Sequence, residues 1–112
     1  MLNKYKGGGS PKARGRLMAT IDDKVKEYAE ATRGLNQGWF MSNLLPKAFQ
    51  AAQTIIPIIP RNIKAYEVLD KLEQQDTCKV RVKFKGDTEA IIESTWEQVG
   101  GAWKIADFAA VR

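Results

Sequence analysis

A carboxylate set among tryptophans is the strongest chemical signal in this sequence. Asp107 lies in "TWEQVGGAWKIADF", residues 95–108, two positions past Ile105 and near Trp96 and Trp103. On an apolar sheet face such a carboxylate would lose water and its pKa would rise, which suits general acid–base work. Tyr28 or Tyr66 could complete the site as a hydrogen-bond donor. The competing reading is a carboxylate at a strand end that meets water or a backbone N–H, and it requires no special environment.

Beyond Asp107, the composition excludes more chemistry than it offers. The chain has no histidine, which removes Ser-His-Asp and Cys-His nucleophiles and any His-based metal site. Cys78 is the single cysteine, so it can build neither a zinc cluster nor an intrachain disulfide. Facing inward between hydrophobes, it reads as an inert small apolar residue. No Walker A, G-x-G-x-x-G or EF-hand spacing occurs, and "KYKGGGS" lacks both a preceding strand and the Gly-Lys-Ser/Thr ending. No metal and no cofactor is expected. Trp39 and Phe40 could join Tyr28, Tyr66, Trp96 and Trp103 around a ligand mouth, although core burial is the commoner fate of such rings.

The net charge of +5 is local. Residues 1–16 hold Lys4, Lys6, Lys12, Arg14 and Arg16 with no acid, and basic and acidic residues balance over the rest. With "GGGS" inside it, this segment reads as a flexible basic Gly-rich tail. It is a poor candidate for a nucleic-acid or anionic-membrane arm, because five charges with one aromatic, Tyr5, among them are weak evidence for such an arm. The N-terminus has no apolar signal region, so the chain is not read as a secretory precursor; a mature exported fragment stays open and the compartment is not indicated. The longest apolar run, "TIIPIIP", is broken by Pro57 and Pro60, well short of the roughly 20 residues of a membrane span.

The elements that must position these residues follow from periodicity. Thr20 can cap a helix over "IDDKVKEYAEATRG", with Asp22 and Asp23 in its first turn and Gly34 as its stop. Ile21, Val25, Tyr28, Ala29 and Thr32 share one face at helical spacing. "NQGWFMSNLLPKAFQAAQTII" suggests two shorter helices meeting at Pro46, the proline in the first turn of the second. From Asn62 the period becomes two, and four antiparallel strands are expected. Cys78, Val80, Val82 and Phe84 face inward while Lys79, Arg81, Lys83 and Lys85 face out. An odd loop at Gly86-Asp87 pairs Phe84 with Ala90, Val82 with Ile92 and Cys78 with Trp96; an even loop would set Phe84 against Glu89. Gly100-Gly101 forms a two-residue turn that pairs Val99 with Ala102, Glu97 with Lys104 and Trp96 with Ile105. Strict alternation then points Asp107 inward, opposite Ser94.

The reading is therefore an α+β domain over residues 17–112, with N-terminal helices on a curved, cone-shaped antiparallel sheet of about four strands. "GAWKIADF" after "ESTWEQV" resembles the closing strand of a nuclear transport factor two-like domain. "KVKEYAEATRGLNQGWFMSNLLPKAF" is similar to the helical start of that superfamily's small bacterial lipoprotein and lumazine-binding-like branches, and "NIKAYEVLDKLEQQDTCKVRVKFK" to their middle strands. The resemblance covers about residues 17–110. It implies a sheet wrapped on a long helix, often with a pocket and often with a dimer formed through the sheet. Some members are isomerases, dehydratases or epoxide hydrolases, and many are binding or scaffolding domains, so fold cannot choose among them. Two functions are carried forward. One is a non-enzymatic binding or assembly domain that forms a homodimer or meets a protein partner through its sheet, with room for a small apolar ligand. The alternative is a small cofactor-free isomerase or dehydratase using Asp107 with a tyrosine.

Overall fold

The computed structural model describes residues 20–111. The basic tail expected over residues 1–16 lies outside the described residues. Three helices precede four strands: α1 (Ile21–Gly34), α2 (Gln37–Asn43), α3 (Ala48–Ile55), a 3-10 turn (Ile56–Ile58), then β1 (Ala65–Glu73), β2 (Thr77–Lys85), β3 (Glu89–Val99) and β4 (Ala102–Val111). The strands pair antiparallel in the order β1-β2-β3-β4, and the helices pack on one face. The fold is α+β, as the sequence indicates.

α1 starts where its capping chemistry places it. The Thr20 side chain accepts from the Asp23 N–H at 3.2 Å, and Asp22 and Asp23 occupy the first turn. Its end differs from expectation. Gly34 is the last helical residue, and the left-handed position falls on Leu35, at φ 54°. The Asn36 N–H donates to the Ala31 carbonyl at 2.9 Å and the Leu35 N–H to Thr32 at 3.4 Å, the two bonds of a Schellman close. Pro46 sits in the turn just before α3 rather than in its first turn.

The sheet registers follow the parity argument over most of their length. β2 and β3 pair Phe84 with Ala90, Val82 with Ile92 and Cys78 with Trp96 around a three-residue loop, 86–88. β3 and β4 pair Val99 with Ala102, Glu97 with Lys104 and Trp96 with Ile105, and both turn glycines have positive φ. The outer face carries cross-strand ion pairs, Arg81–Glu93 at 3.1 Å and Lys83–Glu89 at 3.3 Å. Two bulges interrupt the ladders, at Leu69 in β1 and at Ala106 in β4. Each bends its strand locally.

The core lies between α1 and the inner sheet face. Ile21, Val25, Tyr28 and Ala29 of α1 meet Cys78, Val80, Val82, Phe84, Ile92, Trp96, Ile105 and Phe108. α3 adds Ala48 and Ile55 over β4. Phe49 of α3 is 37% exposed.

Candidate functional site

Tyr28 is the hub of the interior. Its ring centroid lies 5.8 Å from Phe84, 6.0 Å from Trp96 and from Phe108, 6.3 Å from Phe40 and 6.4 Å from Trp39. Several of these contacts are edge-to-face, the arrangement that aromatic quadrupoles favour. Four of the residues expected to line a pocket, Tyr28, Trp39, Phe40 and Trp96, thus pack against one another. Trp96 is fully buried and its indole N–H donates to Ser94 Oγ at 2.9 Å, so its polar atom is satisfied inside the core. Ser94 Oγ is within 3.4 Å of the Val80 carbonyl. Trp103 is buried on the same face, opposite Gln98.

Tyr28, expected as a hydrogen-bond donor beside Asp107, is sealed inside. Among the described residues its hydroxyl has no hydrogen-bond partner. Burial pushes the phenol far above its ordinary range.

Asp107 does not face this interior, which corrects the inward, Ser94-opposed placement. The bulge at Ala106 lets Ile105 and Ala106 both be buried, and it shifts the ladder so that Phe108 opposes Ser94 and Asp107 opposes Thr95. Asp107 is exposed, and its Oδ1 accepts from the Phe108 N–H at 2.9 Å. The energetics explain the bulge. Strict alternation would bury an unpaired carboxylate and expose a phenylalanine, costing several kcal/mol, about what two unfavourable transfers of this kind require. The pattern "IAD" already held that conflict. "VLD" in β1 repeats it: the bulge at Leu69 turns Asp70 to the outer face against Arg81. With Asp107 outside and Tyr28 sealed within, these two residues do not pair.

Tyr66 lies half-buried on the inner face of β1, opposite Phe84. Burial and the nearby Glu30 carboxylate push its phenol up, while Arg33 opposes them. Trp39 and Phe40 pack partly buried on the core at 5.1 Å from each other. The Trp39 indole N–H donates to Glu27 Oε1 at 3.0 Å, and Lys24 Nζ lies 3.3 Å from that same oxygen and 5.6 Å from a Trp39 ring centroid. Lys24 also donates to Asn43 Oδ1 at 2.6 Å, and Asn43 Nδ2 donates to the Trp39 carbonyl at 2.7 Å. This network fastens α2 to α1. Beside it lies a shallow, open depression of about 520 Å³ bordered by Glu27, Glu30, Ala31, Gly34, Asn36 and Trp39. Its carboxylates are already engaged, Glu27 as above and Glu30 with Arg33 at 3.4 Å.

The two sheet edges are treated differently. The β4 edge is met at its first half: Leu44 bridges to Ile105, the Leu45 N–H donates to the Ile105 carbonyl at 2.8 Å, and Lys104 Nζ donates to the Ser42 carbonyl at 2.7 Å. β1 has no such cover among the described residues, and all of it except Tyr66 is exposed. Val68, Leu69 and Leu72 show 47%, 41% and 59% of their surface. A long edge strand with bare apolar side chains is a template for pairing with another strand. The sequence reading missed this edge, because strand order is not written in periodicity. The adjacent apolar pair Val68-Leu69 was the available sign of its bulge. No family model, curated protein or solved structure matches this chain.

Proposed function

We propose that this domain is a non-enzymatic assembly module that dimerises through its sheet. The single observation that carries the reading is the β1 edge, which no described residue covers, with Val68, Leu69 and Leu72 open to solvent, while the β4 edge is met by the α2–α3 connection at Ile105. Such edges cost solubility and invite aggregation unless they are blunted or paired, so a paired state accounts for this one. The filled interior supports the same reading, since Tyr28, Phe84, Trp96 and Phe108 occupy the volume a ligand would need. Membership in the nuclear transport factor two-like superfamily belongs to this proposal. Helices followed by a sheet whose last strand opens on "GAWKIADF" support it.

Sedimentation equilibrium over a range of protein concentrations tests the reading. A mass that rises from one chain towards two, and no further, is the expected result. A single-chain mass at every concentration would sink it.

A further inference from the structure

The edge of β1, which no described residue covers, has a fixed polarity pattern, and we infer from it that a second copy of this chain pairs antiparallel along β1 in one register, Tyr66 with Glu73 and Val68 with Lys71. This rests on the assembly reading above and names its contact. The pattern follows from the ladder. The Gln74 N–H donates to the Thr77 carbonyl at 2.8 Å, so Thr77 turns its backbone groups towards β1. β2 pairs without interruption, so Lys79, Arg81, Lys83 and Lys85 turn the same way. Their β1 partners Leu72, Asp70, Glu67 and Ala65 therefore face β2. The backbone N–H and C=O groups of Tyr66, Val68, Lys71 and Glu73 point to the open edge.

A two-fold axis between Leu69 and Asp70 pairs Tyr66 with Glu73 and Val68 with Lys71 of the second copy, so every edge-directed residue meets an edge-directed one. Glu67 then meets Leu72, neither of which directs its backbone to the edge. The side chains agree with the backbone. Tyr66, Val68, Lys71 and Glu73 all share the inner face with their β2 partners Phe84, Val82, Val80 and Cys78, while Glu67 and Leu72 share the outer face with Lys83 and Lys79. This register matches both backbone direction and face at Tyr66–Glu73, Glu67–Leu72 and Val68–Lys71. A shift by two residues sets Glu67 against Asp70 across the axis, and a shift by one pairs inner with outer residues. No like charges are opposed in the inferred register. Lys71 also keeps its own partner, Asp22 Oδ1 at 2.7 Å. The bulge thus sits beside the axis, and the two four-stranded sheets join into one of eight.

The test combines a cross-link with a charge contrast in the full chain. The double variant Glu67→Cys with Leu72→Cys should form a covalent dimer under mild oxidation, because the two positions oppose each other across the axis. Either single variant should not, and native Cys78 is buried. Val68→Lys opposes Lys71 of the second copy at two symmetric places and should raise the dimer dissociation constant about tenfold. Val68→Glu should leave it unchanged or lower it. A dimer by sedimentation that neither cross-links nor distinguishes Lys from Glu at position 68 overturns the register and leaves the assembly reading standing. A chain that stays monomeric overturns both, whatever else lies along β1.

Discussion

Burying a tyrosine hydroxyl without a partner costs about 1–3 kcal/mol of desolvation. Among the described residues the Tyr28 hydroxyl has no partner, and the residue carries that cost for the sake of its ring, which touches five others. Tyr28→Phe keeps the ring and drops the hydroxyl, so unfolding in urea should show stability unchanged or raised by about 1 kcal/mol. Tyr28→Ala should lose about 3–5 kcal/mol, as large-to-small core changes do. A clear loss in the phenylalanine variant would mean that the hydroxyl has a partner. The same burial sets a pH dependence. Burial pushes the Tyr28 phenol and the Cys78 thiol above their ordinary values, so the folded chain holds protons that the unfolded chain releases. Their contribution is fully present below about pH 9 and is lost as pH rises, first through Cys78 and then, above about pH 10, through Tyr28. Tyr28→Phe should remove the second part of that fall in alkaline unfolding curves. Tyr28's inward face was readable from its helical spacing. The dryness of its hydroxyl was not, because it depends on Trp39, Phe40, Phe84, Trp96 and Phe108 converging from four separate elements.

Caps, loops and bulges are where sequence and structure part company. The hairpin registers were legible because wrong parity would have set Phe84 against Glu89 or turned Trp96 outward. The bulges at Leu69 and Ala106 escaped strict alternation, although "VLD" and "IAD" each carried an apolar pair followed by an acid that alternation would drive inward. At the end of α1 the glycine precedes the residue that needs positive φ. Leu35, at φ 54° and 80% exposed, bears the left-handed strain. Leu35→Gly should therefore raise stability by about 1 kcal/mol, readable as a higher urea midpoint. Gly86 is the opposite case. A Cβ there would stand 2.2 Å from the Arg61 carbonyl oxygen, where the Asp87 N–H donates at 2.8 Å. Gly86→Ala forces the segment before β1 away from the β2–β3 loop, and the same curves should show a lower midpoint.

For the molecule as a whole, the interior closes and one edge stays open. The aromatic residues that suggested a pocket are the ones that fill it, and the carboxylate that suggested catalysis points away from them. Composition could not separate these outcomes, since the same ring types line pockets and pack cores. Only the assembled layers show that the α2–α3 connection meets β4 at Ile105 while no described residue covers β1. Dimerisation along β1 is the central claim, and amide hydrogen exchange across a concentration series tests it most directly. The Val68 and Lys71 amides should exchange more slowly as concentration rises, while those of Glu67 and Asp70, turned towards β2, should stay unchanged. If Val68 and Lys71 exchange at the unprotected rate at every concentration, the edge is not paired and the account is wrong.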